Sequence, residues 1–282
     1  MKRLDTSEII FKVLSYTLVT LFVVATLYPF IYTISIAISG YDAVISGSIV
    51  LLPKDIQFAA ISDIVNRADF WQAYANTIFM TFYGTIFSMF VSICGAYALS
   101  KDKLVGKKTW NFLLVFTMWF TAGMIPSLLN YKALGVDNRW GIVFCLGMNA
   151  FNIILLRNYF SGIPHEIEEA AIVDGANEFQ VLTKIYIPMS KASIATVTLF
   201  YAISRWNGYF WARLLLIDQK DKPLMVFLRE EYVGLDDVTT TEYFLDSYIY
   251  AMILLSIIPI MIVYPYLQKF FQKGVNVGGV KE

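Results

Sequence analysis

Six apolar stretches, at about 13–38, 73–99, 109–128, 140–160, 190–217 and 247–270, constrain this chain more than any other feature. Each reaches the roughly 20 residues that an α-helix needs to cross a bilayer. A chain with so many cannot bury them all in one water-soluble core. The overall hydrophobic content, 57% of 282 residues, exceeds the roughly 45–50% of a soluble domain. The first stretch follows Lys2 and Arg3 as a secretory signal would, with Ser35-Ile36-Ala37 as a cleavage site. Its apolar run is about twice the usual signal core, so a retained span is expected.

Orientation follows from the basic residues, which collect on the cytoplasmic side. The short loop holding Lys101, Lys103, Lys107 and Lys108 is expected inside, which places both termini inside as well. Residues 1–12 read as an amphipathic cytoplasmic lead-in, 13–270 as the membrane domain and 271–282 as a cytoplasmic tail. The stretches 39–72 and 218–246 become outer loops. A helix is expected near Lys222–Tyr232, with Asp221 as its cap and Pro223 in its first turn.

Several chemistries are excluded. The 22 basic and 22 acidic residues cancel, which gives no reason to expect nucleic acid as a partner. His165 is the only histidine, and Cys94 and Cys145 sit inside apolar runs, so no metal site, disulfide or catalytic triad is expected. No G-x-x-x-x-G-K-S/T phosphate loop occurs, so the chain cannot hydrolyse ATP by that route. The spans carry no paired carboxylates of the kind proton-coupled carriers use; Arg205 is the one formal charge well away from a span end. Energy must therefore arrive through a partner protein.

Residues 164–188, PHEIEEAAIVDGANEFQVLTKIYIP, form a polar, acidic island between two apolar stretches, on the inner side by the charge argument. Pro164 and the acids Glu166, Glu168 and Glu169 suit a helix start, and Gly175 marks a break. Glu169-Ala170-Ala171, Asp174-Gly175-Ala176 and Ile185-Tyr186-Ile187-Pro188 resemble the EAA loop of ABC importer permeases, with Ile187 where leucine is usual. Asn76-Thr77, Ala96-Tyr97-Ala98-Leu99-Ser100, Asn158-Tyr159-Phe160 and Trp206-Asn207 are similar to the carbohydrate-uptake, maltose-type branch of that family. Gly123-Met124-Ile125-Pro126, Arg157-Asn158 and Pro223-Leu224 resemble its LplC-type oligosaccharide and polysaccharide permeases, and Gly278-Gly279-Val280-Lys281 a MalG-like tail.

The resemblance implies an all-α integral membrane protein of the type I ABC importer permease fold, with six transmembrane helices and a cytoplasmic coupling helix. It implies a second, homologous permease subunit, two ATP-binding cassette subunits that bind ATP and magnesium, and an extracytoplasmic solute-binding protein. No cofactor is implied for this chain, which would be a non-catalytic transport subunit in a bacterial cell membrane. Glu168, Glu169, Ala170, Ala171, Asp174, Gly175, Ala176, Ile185 and Pro188 would couple to an ATPase. Gly175 would supply a turn that a side chain obstructs, and Gly278, Gly279 and Lys281 would touch the ATPases.

The class of cargo is what the resemblance implies; candidate contacts to it are read from side-chain chemistry. Trp119, Asn149, Asn152, Tyr201, Arg205, Trp206 and Asn207 are aromatic, amide or charged groups in or near the spans, the types that hold sugars. Each is equally a candidate for packing or for satisfying backbone groups. An oligosaccharide is the expected cargo, with a glycerol phosphodiester or a peptide as the alternative. Ser88, Ser92 and Ala96 recur at intervals of four on one helix face, suited to close helix approach, within the chain or against the second permease. Phe120 to Pro126 is expected to break the third stretch.

Overall fold

The computed structural model describes the backbone of residues 6–235 and 242–275, and side chains at 7–40, 42–233 and 247–265. Among the described residues it is helical, with no strand. The helices are α1 (Thr6–Ala37), α2 (Tyr41–Ile45), α3 (Ala59–Val65), α4 (Ala68–Ser100), α5 (Lys107–Trp119), α6 (Met124–Ala133), α7 (Arg139–Cys145) and α8 (Ala150–Ser161). Then follow α9 (His165–Val173), α10 (Glu178–Val181), α11 (Ile187–Met189), α12 (Lys191–Trp206), α13 (Phe210–Leu215), α14 (Leu224–Leu235) and α15 (Glu242–Val275). Three of them hold spans by length and composition: Ser7–Ala37, Ala68–Ser100 and Ser247–Pro265. The bent pairs α5 with α6 (115°) and α7 with α8 (47°) raise the number to five if each pair crosses once.

The chain divides into two compact units, residues 1–70 with 228–258 and residues 71–227 with 259–282. In the first, Ile36, Ala43 and Ile49 are buried together with Tyr32 and Tyr250 packed on them. Arg67 holds this unit's polar end. Its guanidinium pairs with Asp69, meets Glu231 at 2.8 Å and donates to the Tyr248 hydroxyl at 2.5 Å. None of the most apolar part of α1 is buried; a helix apolar on every face needs lipid or another protein around it.

The second unit is built around α4. Ser88, Ser92 and Ala96 are all fully buried, and the two serines reach α12 of the same chain. The Ser92 hydroxyl lies 2.7 Å from the Tyr201 hydroxyl, and Ser88 accepts from Arg205 at 3.3 Å. In lipid such contacts substitute for the hydrophobic effect, at about 0.6–1.7 kcal/mol per polar pair.

The third stretch breaks at residues 120–123, as Gly123 and Pro126 led one to expect. The fourth also breaks, at 146–149, where an unbroken span was expected. The cause is a close approach: a Cβ on Gly147 would stand 2.4 Å from Phe87 of α4. Asn149 then restarts the helix by accepting from the Asn152 backbone N–H at 3.1 Å.

The helix expected near Lys222–Tyr232 is α14, and its first donor is not capped by Asp221. The Leu224 backbone N–H gives its hydrogen bond to Thr77 Oγ1 on α4 at 2.7 Å, while Asn76 donates to the carbonyls of Lys220 and Lys222 at 2.7 and 3.1 Å. Asn76 and Thr77, with 0% and 1% exposure, are thus a backbone clamp. A long-range cap of this kind leaves no local sequence signal.

Candidate functional site

The island at 164–188 folds as α9, a turn, α10, a π-helical turn at Leu182–Tyr186 and α11. Pro164 precedes α9, with Glu166 and Glu168 in its first turn, where acids favour the positive end of the helix dipole. At the other end the Gly175 N–H reaches the Ile172 carbonyl and the Ala176 N–H the Ala171 carbonyl, at 3.0 and 2.9 Å. Gly175 has φ +83°, and a Cβ there would meet nothing within 4 Å. The demand for glycine is therefore conformational; within this chain no side chain is obstructed. Asn177 and Gln180 complete a capping box on α10. Pro188 has no N–H to return to Lys184, and the backbone widens into the π turn just before it.

The motif residues divide by the face they occupy. Ala171, Ala176 and Ile185 pack on a buried cluster that includes Ala96 and Leu99 of α4, Leu156 and Phe160 of α8, and Val197 of α12. Glu169, Ala170, Asp174, Gly175 and Pro188 are exposed. The Glu169 carboxylate has no partner among the described residues. On the same loop Val173 and Phe179 are 86% and 72% exposed, with Ile172 at 43%, apolar side chains in a polar island. Their apolarity within a polar island is a signal that motif matching passes over.

Glu168 behaves differently from its neighbour. Its carboxylate lies 2.6 Å from Lys101 Nζ and accepts a hydrogen bond from the Tyr186 hydroxyl at 2.6 Å. Lys101 also stands 3.8 Å from Glu178 and over the rings of Tyr97 and Tyr186, at 4.1 and 4.5 Å. Tyr97 in turn donates to the Glu178 carboxylate. Burial alone would raise the Glu168 carboxyl, but the Lys101 ammonium and the Tyr186 hydroxyl outweigh it and hold it below its ordinary value of 4.5, with His165 adding a smaller pull the same way. Burial, and then the Glu168 carboxylate, push the Tyr186 phenol up, so it remains a donor.

A pH dependence follows. A carboxyl whose folded value is lowered contributes stability that is fully present above the unfolded value and is lost as pH falls through the folded one. Hydrogen-exchange protection of residues 165–186, corrected for intrinsic rates, is expected to hold from about pH 8 to about pH 5 and to fail below the ordinary carboxylate range. Glu168→Gln should remove that acid limb; an unchanged limb in the variant would exclude Glu168 as its source.

The sugar-type residues are not all gathered in one place. Asn149, Asn152, Tyr201 and Arg205 converge where α4, α7, α8 and α12 meet. Tyr201 OH also accepts from the Asn149 N–H at 3.2 Å. Arg205 donates to the carbonyls of Ile142, Val143 and Leu146 at 3.0, 3.3 and 2.5 Å, all at the open end of α7. Trp206 is buried with its ring edge-on to Tyr74, and the Asn207 amide returns to its own helix at the Ile203 carbonyl, 3.1 Å away. Trp119 stands apart at the end of α5, 87% exposed. Asn149 lines a mostly apolar cleft of about 920 Å³ between α4, α5 and α8. Gly278, Gly279 and Lys281 lie outside the described residues.

Residues 73–277 match the family described as binding-protein-dependent transport system inner membrane component. The chain belongs to that family. This permease is 35% identical, over 96% of its length and 98% of the relative's, to the polygalacturonan/rhamnogalacturonan transport system permease protein YtcP of Bacillus subtilis (strain 168). It is 34% identical to protein LplC of the same strain, over 91% and 90% of the two chains. A crystal structure of a bacterial ABC transporter involved in the import of the acidic polysaccharide alginate contains a chain that superposes with a TM-score of 0.89 at 46% identity, covering 96% of the permease and 100% of that chain. A further chain, from an alginate ABC transporter in complex with an alginate pentasaccharide-bound periplasmic protein, shares the fold at a TM-score of 0.61 and 14% identity, over 91% and 92% of the two chains. The permease is thus an integral membrane component of a binding-protein-dependent ABC importer, and its part in that system is transport.

Proposed function

We propose that the permease forms half of a translocation path for an acidic oligosaccharide and is driven through the α9–α10 loop by ATPase subunits. The exposed Glu169, Val173 and Phe179, on a loop whose other face is packed into the chain's own core, carry this reading. An apolar pair on the same loop as an unpartnered charge is the composition of a docking surface. In this reading six crossings place both termini and the loop in the cytoplasm, in the domain order 1–12, 13–270 and 271–282. Glu169, Ala170, Asp174 and Gly175 meet one ATP-binding cassette subunit of two, which hold ATP and magnesium. Gly278, Gly279 and Lys281 reach towards them, and a second, homologous permease completes the path. A solute-binding protein delivers cargo to the outer loops 39–72 and 218–246.

The acidic character of the cargo is supported by the relatives, whose names specify polygalacturonan and alginate. The complete complex in proteoliposomes, with its binding protein and ATP, tests this. Uptake of labelled oligogalacturonates should exceed that of neutral malto-oligosaccharides, a glycerol phosphodiester and a peptide by about tenfold or more. Equal or greater uptake of any of the other three overturns the cargo assignment.

A further inference from the structure

Lys101 follows the last residue of α4, where a cation suits the negative end of the helix. We infer that Lys101 is a positioning residue for transport: with Glu168 it forms the strut that passes movement of the α9–α10 loop to α4. This rests on the reading that the loop docks onto an ATPase.

The loop is joined covalently to two helices, α8 through residues 162–164 and α12 through residues 187–190. Neither junction reaches α4, which ends more than 60 residues earlier in the chain. Yet α4 carries Ser88 and Ser92 against Arg205 and Tyr201 of α12, so a loop movement that leaves α4 behind would shear this interface. Beside the apolar packing of Ala171, Ala176 and Ile185 on the cluster that includes Ala96 and Leu99, α4 is tied to the loop by a compact polar knot under an aromatic cover. Both arms of the loop converge on one ammonium: α9 through Glu168 at 2.6 Å and α10 through Glu178 at 3.8 Å.

The knot is suited to bear load. The side chains of Lys101 and Glu168 are only 16% and 14% exposed, so water screens them less than a surface pair. Tyr97 and Tyr186 meet edge to face at 5.0 Å, and Phe160 of α8 closes on Tyr186 at 5.5 Å. The Tyr186 hydroxyl fixes Glu168 from the π turn. A second stitch runs beside it, Asp102 to His165 at 3.5 Å. Adjacent acids on α9 thus have separate duties. Glu169 faces away from the chain, while Glu168 faces α4, which reassigns it from outward docking to inward transmission.

The assembled importer, with partner permease, ATPases and binding protein in proteoliposomes, provides the test. Lys101→Met and Glu168→Gln should each retain the ATPases on purification. Solute moved per ATP hydrolysed should fall by about tenfold or more. The exchanged pair, K101E with E168K, should restore most of that ratio, because Glu178 is 71% exposed and can turn from the new carboxylate by giving up its bond from Tyr97. Wild-type stoichiometry in both single variants overturns the strut. So does loss of the ATPases from either, which would make the pair a support for docking alone. Failure of the docking reading registers separately, as full retention of the ATPases by the Glu169→Lys chain.

Discussion

Glu169→Lys is expected to leave the permease folded and inserted while removing binding-protein-stimulated ATP hydrolysis from the complex. The carboxylate is exposed and unpartnered among the described residues, so reversing its charge breaks no bond within the chain. Surface substitutions of that kind usually change stability by less than about 0.5 kcal/mol. Against a partner the effect is different, since a like-charge juxtaposition at an interface costs several kcal/mol. At about 1.4 kcal/mol per factor of ten, roughly 100-fold weaker retention of the ATPase is expected. Co-purification and stimulated hydrolysis are the measurements, with membrane yield as the control. Gly175→Asp reaches the same end by another route, because an aspartate held at φ +83° strains the turn that presents α9. Normal stimulation in the Glu169→Lys complex would remove the docking surface from the account.

The island was legible because it breaks the chemistry around it: five acids within thirteen residues, between apolar stretches, can only face water. The proline and glycine that bound α9 are local signals, and local signals survive in a sequence. Glu168 and Glu169 could not be told apart in this way. Both stand in the same acidic run, and which one turns inward depends on Lys101, far away in the chain. The same holds for Asn76 and Thr77, whose positions mattered to the resemblance but whose task, clamping the start of α14, is long-range. The break at 146–149 was missed for a related reason. Gly147 yields to Phe87, and nothing near Gly147 announces that a ring will arrive there.

Arg205→Ala carries the largest expected effect on stability, and it separates two readings of a charged residue within an apolar stretch. An arginine among sugar-type side chains suggests a hand for the cargo. Its hydrogen bonds point elsewhere: to three carbonyls at the end of α7 and to Ser88, with Gly84 leaving a space that a Cβ would fill to within 3.0 Å of the guanidinium. Helix ends leave carbonyls unsatisfied, and within a membrane no water replaces the missing donor. Truncation therefore strands the Val143 and Leu146 carbonyls, at about 1–3 kcal/mol for each left unpaired, while the Ile142 carbonyl keeps the Leu146 N–H at 3.4 Å. The loss should appear as a lower midpoint for heat-induced aggregation of the detergent-solubilised complex and a smaller folded yield. Arg205→Lys should fall between, since an ammonium keeps the charge but lacks the planar fork that spans several carbonyls. A cargo contact alone predicts the opposite: unaltered stability with lost uptake. An Arg205→Ala complex that withstands heat as the unaltered one does would show that α7 ends without its cap, and would return the guanidinium to the path of the solute.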